Sequence, residues 1–143
     1  MASWTAEARQ FLEAHRVGHL ATAGADGAPH VVPVCYALDD EALYFVADEK
    51  PKRRPARELL RLRNLRANPR AALVVDDYDE DWTRLAYVLV RGPARVVDEA
   101  AHPAALRLLR ARYPQYGRMA LDDPAAHPVV RIEPTRIVVW RGG

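Results

Sequence analysis

Between positions 50 and 70 the chain carries nine basic side chains, Lys50, Lys52, Arg53, Arg54, Arg57, Arg61, Arg63, Arg66 and Arg70, against one acid, Glu58. The whole 143-residue chain has a net charge of only +2, so this is a local concentration of charge. Guanidinium and ammonium groups at this density suit a polyanionic ligand. Strand-like runs at 43–47 and 71–75 offer a rigid sheet against which to hold one. The competing explanation is a solvated helix face. The span contains no Phe, Tyr or Trp, which counts against a nucleic-acid surface with its stacking aromatics.

Other chemistries lack their residues. Ser3 is the only serine and sits near the start, a poor place for a nucleophile. The lone Cys35 rules out an intramolecular disulfide and a cysteine zinc site, and mid-strand between Val34 and Tyr36 it reads as a packing residue. His15, His19, His30, His102 and His127 lack carboxylate companions at metal-ligand spacing, so no metal is expected. Gly24 and Gly27 mark a turn rather than a dinucleotide fingerprint. The acidic run at 76–81 reads as a solvated connector. A chain that gathers positive charge at one structured place, without a catalytic apparatus of its own, suits a protein that holds an anionic cofactor and leaves the chemistry to it.

The elements that must position these groups follow from periodicity. Trp4, Ala8, Phe11, Leu12 and His15 recur at helical spacing, with Ser3 or Thr5 as cap. The period then falls to two. Strands over 17–23, 28–37 and 42–47, joined by the turns at 24–27 and 38–41, make an antiparallel meander. Both glycines of the first turn are expected at positive φ. Pro29 and Pro33 point to an edge or a bend. A helix over 57–67, with Leu59, Leu60, Leu62 and Leu65 inward, ends at Asn68-Pro69. A strand over 71–75 follows, then a hairpin of 85–90 with 94–97 around Arg91-Gly92-Pro93, a helix over 100–113, and strands over 127–134 and 135–140. The expected fold is mainly β with flanking helices (α+β). It is a split β-barrel of six to seven antiparallel strands in a single domain, 1–143. No basic-then-apolar leader and no run of membrane-spanning length is read in the chain, so a cytoplasmic location is expected.

Four motifs in order then carry a resemblance. They are Val17-Gly18-His19-Leu20-Ala21-Thr22; Asp26-Gly27 with Pro29-His30, Pro33-Val34 and Tyr36; Lys50 and Lys52; and Leu62-Arg63-Asn64-Leu65 with Asn68-Pro69-Arg70 running into 71–76. Together they resemble the pyridoxamine 5'-phosphate oxidase-like split-barrel flavoproteins. Within these the chain is most similar to the actinobacterial branch that uses the deazaflavin coenzyme F420. Asp79-Glu80-Asp81-Trp82 followed by Val90-Arg91-Gly92 and Ala94 strengthens the branch assignment. The resemblance spans about positions 8 to 141.

It implies the FMN-binding-like barrel fold and a homodimer with cofactor sites at the subunit interface, acting on a small molecule rather than on nucleic acid or membrane. Lys50, Lys52, Arg53 and Arg61 match the phosphate side of the cofactor, with Asn64 nearby. Pro33, Val34 and Tyr36 match the strand that faces its ring. Thr22 is placed at the phosphate or ribityl chain, and Trp82 as a residue closing the site across the interface. The implied activity is an F420-dependent oxidoreductase that transfers a hydride to a small unsaturated or quinone-like substrate. The alternatives are a flavin mononucleotide (FMN) enzyme and a non-catalytic F420 carrier. Tyr36, Tyr87 and His30 are the candidate proton donors, each with a structural role as the competing reading.

Overall fold

The computed structural model describes residues 2–48 and 59–143. Among the described residues, eight strands and three α-helices follow in the order α1 (Ala6–Ala14), β1 (Gly18–Ala23), β2 (Pro29–Val34), β3 (Ala37–Leu38), β4 (Leu43–Val46), α2 (Leu60–Ala67), β5 (Arg70–Asp77), β6 (Ala86–Val96), α3 (His102–Arg112), β7 (Val129–Ile132) and β8 (Arg136–Arg141). All strand pairs are antiparallel. They run β2-β1-β5-β6-β7-β4-β3, with β8 paired to β6 beside this path. This is the split barrel that the sequence predicts.

The centre of the barrel differs from expectation. Positions 85–97 do not form a hairpin; β6 is one strand of 11 residues. Its first half pairs with β5 and β8, and its second half, Ala94 to Val96, pairs with β7. Gly92 is a crossing point rather than a turn. The carbonyls of Arg91 and Pro93 accept from the N–H groups of Thr135 and Glu133, each at 2.9 Å, so the segment joining β7 to β8 lies directly on Gly92. A Cβ there would stand 1.7 Å from the Glu133 carbonyl oxygen. The extra strand has a similar cause: a bend at Cys35 and Tyr36 divides the 28–37 run into β2 and β3. In the β1–β2 turn only Gly27 has positive φ, at 81°. Pro29 and Pro33 lie on β2, at the end of the strand path, where a missing donor costs little.

The barrel interior collects Leu20, Phe45, Leu73, Val88, Val90 and Ile132, together with Ala8, Phe11 and Leu12 of α1 and Leu62 and Leu65 of α2. A second cluster forms where Leu106 and Leu109 of α3 pack on Tyr44, Val46, Val97 and Val129, on the other face of the β4–β7 layer. Thr5 caps α1 by accepting from the Ala8 N–H at 3.1 Å. The described part of the 57–67 helix begins at Leu60, and Leu60 is exposed rather than inward.

His15 locks the other end of α1. Its ring stacks on Phe11 with centroids 4.3 Å apart. Nδ1 lies 2.7 Å from the Phe11 carbonyl and Nε2 lies 2.5 Å from Asp77 Oδ1. Both partners are acceptors, so the doubly protonated ring satisfies both at once. Burial works against the charge, but the bonds to Asp77 and to the Phe11 carbonyl outweigh it and raise the pKa above the ordinary imidazole value.

Two outcomes follow. Gly92→Ala should destabilise the fold by at least about 3 kcal/mol in chemical denaturation, because a backbone segment must move. The His15 contribution is complete below the unfolded-state pKa of about 6.5 and is lost as pH rises through the higher folded-state value. The stability gap between wild type and His15→Gln should therefore be widest near pH 5.5 and shrink above neutrality; a gap that grows with pH would refute the assignment.

Candidate functional site

Two strand ends open on one side of the barrel, where β2 stops at Val34 and β4 stops at Val46. With the first turn of α2 and the segment after α3 they enclose a cleft of two adjoining chambers. The narrower, of about 140 Å³, is walled by Pro33, Val34, Val46 and Arg61. The wider, of about 590 Å³, is walled by Arg16, Arg112, Tyr113 and Met119. Val17, Cys35, Asp48 and Tyr116 line both.

Helix α2 places Arg61 by elimination. Leu62 and Leu65 enter the barrel interior, so Arg61 and Asn64, one turn apart, fall together on the adjacent face. Arg61 is 8% exposed and Asn64 5%. Asn64 Nδ2 donates to Thr22 Oγ1 at 3.1 Å, which pins the helix to β1. A guanidinium held this deep beside the flat, apolar Pro33–Val34 edge is matched to a planar ring that carries a phosphate. The donor set fits a phosphorylated flavin or deazaflavin.

The passage between the chambers holds Asp48, Tyr116 and Cys35. Tyr116 Oη donates to Asp48 Oδ2 at 2.6 Å. Burial, and then the bond to Asp48, push the Tyr116 hydroxyl well above the usual phenol range, so it keeps its proton. The Cys35 thiol beside it is also pushed up, by burial first and by Asp48 in addition. It is a thiol at neutral pH and a weak nucleophile.

The residues singled out in the sequence separate into groups. Pro33, Val34 and Arg61 meet in the narrow chamber. Thr22 and Asn64 bond to each other instead and line two other grooves: Asn64 with His30 between the β1–β2 turn and α2, and Thr22 with Ala21, Arg70 and Arg91 along the sheet. Tyr36 is turned into the core, where its hydroxyl donates to the Leu12 carbonyl at 2.6 Å. Trp82 is 68% exposed on a 3-10 turn, Trp82–Arg84, away from the cleft walls. Tyr87 stacks on Trp140 at 5.6 Å, so neither it nor His30 lines the cleft. Lys50, Lys52 and Arg53 lie outside the described residues. Asp48, Tyr116 and Arg16 were not singled out. Asp48 was hidden at the head of a basic segment, and Tyr116 stands in an aperiodic stretch after Pro114 that gives no pattern to read.

The chain belongs to the pyridoxamine 5'-phosphate oxidase family, whose model matches residues 4–141. It is 31% identical over 131 residues to a 5a,11a-dehydrotetracycline/5a,11a-dehydrooxytetracycline reductase of Streptomyces rimosus subsp. rimosus, covering 91% of this chain and 78% of the relative. A conserved hypothetical protein of Mycobacterium tuberculosis superimposes with a TM-score of 0.74 at 27% identity, over 99% of this chain and 87% of that one. A FAD-binding protein of Mesorhizobium loti does so with a TM-score of 0.66 at 27% identity, over 96% and 95%. The family and the reductase relative together support an oxidoreductase. No helix among the described residues is long and apolar enough to cross a membrane.

Proposed function

We propose that the protein is a homodimeric oxidoreductase that holds reduced coenzyme F420 along this cleft, with its phosphate at Arg61, and passes a hydride to a small unsaturated or quinone-like acceptor. The observation that carries this reading is Arg61, a nearly buried cation beside an apolar strand edge. When bound, the reduced deazaflavin supplies the hydride. The residues of the chain bind, orient and exclude water. Pro33, Val34 and Val46 line the apolar side of the site, and Arg61 meets the phosphate. The sequence adds Lys50, Lys52, Arg53, Arg54 and Arg57, a composition that suits a longer, more anionic cofactor. The dehydrotetracycline reductase supports a conjugated acceptor. The FAD-binding relative favours a second reading, a flavin enzyme on the same scaffold.

The dimer reading is supported by the outward face of the β2-β1-β5-β6-β8 layer. Register places Val31, Ala21 and Ala72 in one row and Val74, Leu89 and Val138 in the next. Val31 is 61% exposed. Arg91 and Arg136 continue the first row, and Asp76 stands on the far side of the second. A two-fold axis through the Leu89 row therefore brings arginines of one copy to the aspartate of the other.

Titration of the apo protein with coenzyme F420 and, in parallel, with FMN should show micromolar binding of the deazaflavin, weaker binding of FMN, and a roughly ten- to hundredfold loss of affinity in Arg61→Ala. Preference for FMN would select the flavin enzyme. Tight F420 binding without hydride transfer to any acceptor would select the carrier. Binding of neither would remove the cofactor reading. In sedimentation, Leu89→Arg should convert a dimer to a monomer; an unchanged mass would refute this interface.

A further inference from the structure

We propose that the groove between the start of α3 and the outer face of the β6–β7–β4 layer binds a small monocarboxylate with an apolar body. Its carboxylate lies between Arg95 and Arg131, and its chain or ring lies along α3. None of the residues that line this groove lines either chamber of the cleft. The site is therefore separate from the cofactor reading and does not depend on it.

Strand register sets the cations side by side. Arg95 of β6 is directly opposite Arg131 of β7, and Tyr44 of β4 is opposite Arg131 on the other side, so the three form one row. All three line the groove, which has a volume of about 300 Å³. Directly opposed residues of an antiparallel pair have Cβ atoms about 5 Å apart, and like charges there repel. An anion between the two guanidiniums turns that repulsion into attraction. The nearby acids have other partners. Asp39 accepts from the Glu41 N–H at 2.8 Å, the Ala42 N–H at 2.7 Å and the Tyr44 hydroxyl at 2.8 Å. Asp98 accepts from the Ala101 N–H at 2.9 Å. Arg131 donates from Nε to Tyr44 Oη at 3.4 Å and from Nη2 to Glu41 at 3.5 Å, both long, and keeps Nη1 for a ligand. Among the described residues the Arg95 side chain has no hydrogen-bond or ion-pair partner. A carboxylate can take an N–H from each arginine in charge-assisted bonds.

The apolar half of the groove comes from α3. Leu106 and Leu109 pack on the sheet, which leaves Ala101, Ala104 and Leu108, at helical spacing, along the groove. The two alanines are too short to fill it, and Val97 lines the sheet side. A chain or ring laid there removes apolar surface from water. The Arg131 side chain is 16% exposed, so a bond to it is less screened than one at the open surface. A simple inorganic anion meets only the arginines, and a neutral apolar compound meets only the α3 side. Both halves are engaged only by an anion with an apolar body. A volume of about 300 Å³ is at the small end for ligand pockets and suits a monocarboxylate rather than a nucleotide.

The test titrates 3-phenylpropionate, 3-phenylpropan-1-ol and acetate into the full nitrogen-15-labelled chain at pH 7 and follows the backbone amide resonances. Phenylpropionate should shift the signals of Arg95 and of the first turn of α3 along a saturable curve, with a dissociation constant of roughly 1 mM or below. The alcohol, which has the same ring and no charge, should bind at least about tenfold more weakly, and so should acetate, which has the charge and no ring. Arg95 is exposed, so Arg95→Met keeps the fold. That variant should lose about tenfold in phenylpropionate affinity and leave the alcohol unchanged. Ala104→Glu, which places a carboxylate in the groove, should lose at least as much. Shifts confined to the cleft, an alcohol or acetate that binds as tightly as phenylpropionate, or wild-type affinity in either variant would overturn the proposal, as would the absence of any saturable shift up to roughly 10 mM. Coenzyme F420 affinity should be the same in Arg95→Met as in the wild type, so the cofactor reading stands or falls by its own titration.

Discussion

The guanidinium of Arg112 is the interaction on which the open side of the barrel depends. It donates to the Glu13 carbonyl at 3.1 Å, to the Leu12 carbonyl at 3.2 Å and to the His15 carbonyl. These are groups that a helix terminus leaves without internal partners, and the positive charge also opposes the partial negative charge there. The same guanidinium lies 5.0 Å from the Tyr36 ring and 5.4 Å from the Tyr113 ring. Tyr113 Oη accepts from the Tyr36 N–H at 2.9 Å and lies 2.8 Å from the carbonyls of Tyr36 and Arg16, which share its one proton. One residue of α3 thus ties the end of α1 to the bend between β2 and β3. Without that tie the cleft has no fixed floor.

The bend matters because it separates two layers. The first half of β6 belongs with β5 and β8, and the second half with β7. Only a strand free of a side chain at Gly92 can pass between them while the segment before β8 rests on it. The barrel is therefore split by construction, and the cleft lies among strand ends rather than inside the filled barrel.

Charge in the cleft is arranged in depth. Arg61 stands at the narrow end, the Asp48–Tyr116 pair in the passage, and Arg16 at the wide end. Among the described residues, the Asp48 carboxylate between these cations is held in place by a phenol that burial keeps protonated. Such alternation gives each chamber its own polarity. The low-dielectric walls make each of these charges count for more than it would in water.

Much of the fold was legible in the chain. The change from helical to alternate spacing after His15, the prolines of β2, and the Asn68-Pro69 stop all encode local backbone preferences that neighbours in space did not override. Arg61 was singled out only through the resemblance; its place in the narrow chamber follows from Leu62 and Leu65, which fix the inward face of α2. The continuity of β6 was not: Arg91-Gly92-Pro93 reads as a turn until the β7–β8 segment, some 40 positions later, is known to lie on it. Tyr36 was placed on the ring-facing strand, but a carbonyl in α1 draws its hydroxyl into the core. The sequence by itself determined the elements, the barrel class and the local excess of positive charge, since these depend on periodicity and composition. The tertiary structure alone decided that Asp48, Cys35 and Tyr116 share one passage and that Arg112 closes its floor, because those contacts join residues 68 to 100 positions apart and no local pattern records them.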